Sequence, residues 1–169
     1  NHARLAEADA LLARLSRAGA RPVATFVPIW MDPLMTANGD TFISDVIELA
    51  GARNVFADRE RRYPLAADLG ELDPERASAP AGRDVRYPRI TLDELVERAP
   101  ELVLLPDEPH EFTRADAAVF ADLSLPAAQR GQIRFCDGKD LMWYGLRAVE
   151  GLARVAALVD EARFSPPTR

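Results

Sequence analysis

Val23-Ala24-Thr25-Phe26-Val27-Pro28-Ile29-Trp30-Met31-Asp32-Pro33-Leu34 is the stretch on which the fold turns. Its β-branched and aromatic start, 23–28, reads as a strand, and the proline-punctuated part that follows reads as an exposed apolar loop. Asn38-Gly39 and an Asp40/Thr41 cap then open a helix over 41–50. Phe42, Ile43, Val46, Ile47, Leu49 and Ala50 fall on its inner side, Asp45 and Glu48 on its outer side, and Gly51 fits the left-handed position after its end. Strand, loop, amphipathic helix is one unit of an α/β layer.

The same alternation continues on both sides. Leu5, Ala8, Leu11, Leu12 and Leu15 recur at helical spacing, so 2–18 predicts a helix of about 25 Å, stopped by Gly19. Residues 57–87 lack periodicity and read as a long insertion or loop, with poor order expected around 70–84. Thr91 and Glu94 make a capping-box pattern ahead of Leu92, Leu95, Val96 and Ala99, and Pro100 ends that helix. Leu102-Val103-Leu104-Leu105 is a continuous apolar run, the mark of a strand covered on both faces. Thr113 caps a helix with Val119, Phe120 and Leu123 inward; Ile133-Arg134-Phe135-Cys136 is a further strand; Gly145 to Ala162 is the last helix. The expected fold is α/β: a Rossmann-like parallel-sheet lobe in three αβα layers over 21–169, preceded by a long connecting helix in 1–20.

The 169 residues suffice for one domain that buries roughly 70% of its unfolded surface. With 48% apolar and 28% charged residues the chain has the composition of a folded globular protein. Its 27 acids against 21 bases, a net charge of −6, weigh against nucleic acid as a partner, which needs a basic stripe. Cys136 is the one cysteine, so no disulfide or paired-cysteine metal site forms within the chain, and a buried strand thiol is expected. No apolar run approaches the ~20 residues of a membrane span, and no signal-peptide pattern is present.

Ligands of open parallel sheets bind beyond the carboxyl ends of the strands, here Pro28–Leu34, Pro106–Glu111 and Asp137–Tyr144. Trp30, Met31, Leu34 and Met35 lie in the first, and Leu141, Met142, Trp143 and Tyr144 in the third. Large apolar residues at such a rim form a contact surface for a bulky ligand or second lobe, or tuck under the loops as satellite core. Arg147 follows closely and is placed either to stack on these aromatics, to hold an anionic ligand group, or simply to face solvent. No nucleophile elbow, dinucleotide-binding glycine motif or phosphate-binding loop occurs, so no catalytic residue is assigned and the chain reads as a non-enzyme. Asp107, Glu108 and His110 offer an alternative metal-binding loop. Asp93 and Glu94 stand in the first turn of a helix; capping accounts for Glu94, and an exposed docking role is open for Asp93.

Taken together, Pro28-Ile29-Trp30-Met31-Asp32-Pro33-Leu34, Thr41-Phe42-Ile43, Leu49-Ala50-Gly51-Ala52-Arg53-Asn54-Val55, Tyr87-Pro88-Arg89-Ile90-Thr91-Leu92-Asp93-Glu94 and Trp143-Tyr144-Gly145-Leu146-Arg147 resemble the C-terminal lobe of cobalamin- and siderophore-type periplasmic solute-binding proteins of ABC importers, the helical-backbone class III. The resemblance covers about 20–162, and residues 2–18 resemble the end of the helix between lobes. It implies an extracytoplasmic receptor with no cofactor of its own, whose ligand is cobalamin, haem or a ferric siderophore held between two lobes. Trp30, Met31, Tyr87, Trp143, Tyr144 and Arg147 would contact that ligand. Asp93, where glutamate is more usual, with Glu94 beside it, would dock onto arginines of the ABC permease. The N-terminal lobe is missing from this chain, which is expected to be a fragment or to associate with another chain; self-association through the exposed rim is a further alternative.

Overall fold

The computed structural model describes residues 20–73 and 82–166, together with Ala10 and Ala13. Apart from those two alanines, the helix expected over 2–18 lies outside the described residues. A parallel sheet in the order β4-β1-β5-β6 is built from β1 (Val23–Phe26), β4 (Ala52–Asn54), β5 (Leu102–Pro106) and β6 (Ile133–Cys136). The helices are α1 (Phe42–Leu49), α2 (Leu65–Asp68), α3 (Leu92–Arg98), α4 (Arg114–Ala121), α5 (Pro126–Gln129), α6 (Gly138–Met142) and α7 (Leu146–Phe164).

Period-2 alternation divides the core. Val23, Leu102 and Leu104 pack with Ile43, Val46 and Ile47 of α1 and Val155 and Val159 of α7. Ala24, Phe26, Val103 and Leu105 face the opposite layer, with Leu95 of α3 and Phe120 of α4. All of β5 is buried, as its uninterrupted apolar run predicts. Phe26 sets the centre of the second layer, with ring centroids 5.5 Å from Phe56 and 5.9 Å from Phe120. Three-layer αβα packing on a parallel sheet is therefore the fold that the alternation of elements predicts.

Several local expectations are corrected. Residues 28–34 are not a loop: β2 (Pro28–Met31) and β3 (Leu34–Thr36) pair antiparallel, turning about Asp32-Pro33. The hairpin forms because the distant segment 86–90 lies along β3, where Ile90 N–H donates to Leu34 O, Thr36 N–H to Pro88 O and Asn38 N–H to Arg86 O. Leu49, expected inward, is exposed, and β4, a strand the sequence did not announce, follows α1 directly. Buried Asn54 explains that short strand: its amide donates to Ala37 O and Ser44 Oγ, and its Oδ1 accepts from Phe56 N–H. The Thr91/Glu94 box is half formed. Thr91 accepts from Glu94 N–H, but the Glu94 carboxylate turns to Arg59; the reciprocal box forms instead at Thr113 and Asp116.

The insertion is anchored rather than loose over its described part. Arg59 and Asp68, both buried, form an ion pair of 2.9 Å. Asp68 also accepts from the backbone N–H groups of Arg62 and Arg89, at 2.9 and 2.8 Å. Arg59 donates onward to the Asp68 and Arg89 carbonyls and to Glu94 Oε1. One buried pair thus ties the insertion to the segment carrying Tyr87 and to the start of α3. Residues 74–81 lie outside the described residues.

At the entry to β5, Glu101 accepts two bonds from Arg21, one from Arg130 and one from Ala24 N–H. The Arg21 hydrogen bonds, above all, hold its carboxyl down to about 2, against an ordinary 4.5. A depressed folded-state value contributes stability above pH 4.5 that is lost as pH falls through about 2. Glu101→Gln should therefore be less stable than the parent at pH 7 by about 1–2 kcal/mol, a figure discounted because Arg21 is exposed. The gap should narrow as pH falls below 4.5 and close only near pH 2, measured by urea unfolding across pH; a pH-independent gap would contradict the assignment.

Candidate functional site

Every strand-to-helix connection at one end of a parallel sheet opens on the same side, and here they frame a cleft of about 420 Å3. Ile29 and Met35 line it from the hairpin, Phe42 and Ile43 from the start of α1, and Arg61, Arg86 and Tyr87 from the insertion and its return. Pro109 enters from the loop after β5, and Met142 and Tyr144 from the segment after β6. Among the described residues no carboxylate lines it.

The residues expected to contact ligand separate into groups. Tyr87 and Tyr144 line the cleft, with Tyr144 77% exposed and its ring 4.3 Å from that of Phe42. Trp30 stands beside the cleft rather than among its lining residues: 43% exposed, it lies 5.4 Å from the ring of His110 and donates from Nε1 to Asp32 O. Met31 packs against the core layer of Phe26 and Phe112, since the hairpin sends it to the sheet side. Trp143 is 51% exposed with the Lys139 ammonium 5.6 Å from its ring. Arg147 neither stacks on Trp143 nor is free; it pairs with Asp137 at 2.5 Å. Leu34 and Leu141, also read as rim residues, are core.

Asp107, Glu108 and His110 do not converge. Asp107 Oδ1 accepts from Gly138 N–H at 2.7 Å, which ties the loop after β5 to the start of α6. His110 is wedged between Trp30 and Phe112, with Nε2 3.9 Å from Asp116 Oδ2. Among the described residues no group of three His, Cys, Asp or Glu side chains is placed to hold a metal ion. Cys136, expected buried, is half-buried at the end of β6, and burial together with the fields of Asp140, Asp107 and Asp137 pushes its thiol up to about 12. It is a protonated thiol at neutral pH, not a nucleophile. Asp93 is exposed in the first turn of α3, whereas Glu94 is half-buried and held by Arg59.

Sequence reasoning did not find Ile29, Phe42, Arg61, Arg86 or Pro109 as lining residues. Arg86 directly precedes the Tyr87-Pro88-Arg89-Ile90 stretch; Arg61 lies in the aperiodic insertion, where nothing marks it.

The parallel sheet, its two helical layers and a cleft at the strand ends define the class: the chain has the α/β fold of about half of a class III periplasmic binding protein. Among solved structures it is similar to the periplasmic vitamin B12 binding protein BtuF of Vibrio cholerae, with 17% identity and a TM-score of 0.65, covering 94% of this chain and 51% of that one. The periplasmic heme-binding protein RhuT from Roseiflexus sp. RS-1 is similar at 17% identity and a TM-score of 0.65, covering 96% and 56%. A protein of an ABC-type Fe3+-hydroxamate transport system from Saccharomonospora viridis DSM 43017 follows, with 17% identity, a TM-score of 0.62, and 93% and 48% covered. The chain thus spans about half the length of these structures. No family model and no curated protein sequence matches it. Among the described residues no helix is long and apolar enough to cross a membrane.

Proposed function

We propose that this chain is the C-terminal, solute-binding lobe of an ABC-importer receptor for a bulky metal chelate of the cobalamin, haem or ferric-siderophore kind. The observation that carries the reading is the cleft itself: Tyr87, Tyr144, Phe42, Ile29 and Met35 meet at the carboxyl ends of the strands, where flat apolar ligand surface can stack. Tyr87 and Tyr144 are its primary contacts, with Trp30, Trp143 and Arg147 flanking them, while Met31 supports the hairpin from the core side. It acts by binding and carries out no reaction, in an extracytoplasmic setting, and a second lobe supplies the opposite wall. Asp93 is the charge that meets a permease, because Glu94 is engaged by Arg59.

Tryptophan and tyrosine fluorescence, titrated with haemin, a ferric hydroxamate and cyanocobalamin and corrected for ligand absorbance, tests the proposal. Saturable quenching by one of the three is expected, weakened at least tenfold in Tyr87→Ala, about 1.4 kcal/mol. Absence of saturable binding for all three would end it.

A further inference from the structure

The chain reaches the cleft from the β6 side through α6, which is five residues long and too short to keep its place by helix stability alone. What grips it is α7. Gly151, in the second turn of α7, faces the backbone of Asp140: a Cβ on Gly151 would lie 2.8 Å from Asp140 Cα, 3.0 Å from its Cβ and 3.1 Å from its carbonyl oxygen. Asp140 is also tied by its side chain. It is 3% exposed, and its carboxylate oxygens accept from Arg154 Nε and Nη2 at 2.7 and 2.6 Å, a fork that fixes orientation as well as distance. Leu141, fully buried, joins the core layer of Leu152 and Val155.

Trp143-Tyr144-Gly145 is all that joins α6 to α7. Both outer residues are anchored: Trp143 N–H donates to Lys139 O of α6 at 3.1 Å, and Gly145 O accepts from Ala148 N–H of α7 at 3.0 Å. Tyr144, between them, meets the ring of Phe42 at 4.3 Å, and among the described residues no hydrogen bond of its own holds it. Its place therefore follows from the seat of α6 on α7. We infer that Asp140, Gly151 and Arg154 are positioning residues of the cleft: they seat α6 on α7 and so set where Met142 and Tyr144 stand against Phe42. A side chain at Gly151 would meet main-chain atoms of Asp140, so α6 as a whole must give way. Arg154 acts through its shape, because lysine would keep the charge and lose the fork. The placement stands on this geometry by itself; only its effect on affinity rests on the receptor reading above.

Fluorine NMR of the full chain carrying 3-fluorotyrosine reads the placement without any ligand. Tyr63, Tyr87 and Tyr144 are the three tyrosines of the sequence. Tyr144→Phe assigns the Tyr144 signal, and the Phe42 ring beside it makes that signal sensitive to their separation. Gly151→Ala should move the Tyr144 resonance and leave that of Tyr63, in the insertion, where it is. Alanine's better helix propensity offsets part of the cost to stability in this variant. Arg154→Lys, which keeps Asp140 paired, should move the same resonance in smaller measure. Phe120→Leu, in the core layer on the other face of the sheet, is the control for destabilisation alone and should leave it unmoved. In the haemin titration Gly151→Ala should bind about two- to tenfold more weakly, the affinity that one aromatic contact supplies, with Phe120→Leu unchanged. A Tyr144 resonance unmoved in both Gly151→Ala and Arg154→Lys, or moved as far by Phe120→Leu, overturns the inference, and so does parental haemin affinity in a Gly151→Ala protein whose resonance has moved. Failure of the parent protein to bind haemin bears on the receptor reading alone, since the resonance decides the placement without ligand.

Discussion

Arg59→Met is expected to destabilise the protein by about 3–5 kcal/mol, because it strands Asp68 as an unpaired charge in a buried site. The geometry explains the size. Both side chains are almost inaccessible, at 6% and 0% exposure, so the pair is not the solvent-screened kind that contributes little. Asp68 would keep the Arg62 and Arg89 N–H groups but lose the cation that offsets its desolvation. Against a total stability of about 5–15 kcal/mol such a loss is large. Urea unfolding should show it as a lowered midpoint, and the 57–73 segment should become susceptible to limited proteolysis. The double variant Arg59→Met/Asp68→Leu should recover only part of the stability: it removes the stranded charge but leaves two backbone donors without an acceptor. A single-variant cost under 1 kcal/mol would mean that the network behaves as a surface pair.

Gly138→Ala should cost about 1–3 kcal/mol and also weaken ligand binding. A Cβ on Gly138 would lie 2.5 Å from Glu108 Cγ, 2.8 Å from Glu108 O and 2.9 Å from Glu108 N. Two of those atoms are backbone, so the loop itself must shift rather than a side-chain tip. Alanine gains at most about 1 kcal/mol of helix propensity over glycine at the start of α6, which does not offset the clash. The displaced residues are Pro109, which lines the cleft, and His110, which packs on Trp30. Thermal unfolding and the haemin titration on the same variant separate the two effects. Unchanged affinity in a destabilised variant would show that the loop after β5 does not shape the cleft.

The α/β class was legible because its signals are local: helical spacing in 41–50 and 145–162, an unbroken apolar run in β5, and caps at Thr41 and Thr113. β4 was not legible, since Ala52-Arg53-Asn54 has neither length nor strand propensity and forms only because β1 presents an open edge and Asn54 finds three partners. The hairpin over 28–36 escaped for a similar reason: Pro28 and Pro33 read as loop, and the segment that makes β3 a strand arrives fifty-odd residues later in the chain. In the site, Tyr144 was legible as an aromatic residue beyond the end of β6, whereas Tyr87 was indicated only by the resemblance. Arg61 and Arg86 were not legible, because they are distant in sequence and nothing in a charge-rich, aperiodic segment says which arginine faces inward.

What the sequence by itself determined is the order of layers and the end of the sheet at which the cleft opens, because hydrophobic periodicity and capping act over a few residues and parallel connections allow few topologies. Tertiary structure alone decided which rim residues became core, Leu34 and Leu141, and which faced the cleft, Met35, Met142 and Tyr144. It also decided that Glu94 is engaged by Arg59 while Asp93 stays exposed. These outcomes depend on which distant segment packs against each side chain, and a buried ion pair or a cleft wall exists only once the segments that share it have met.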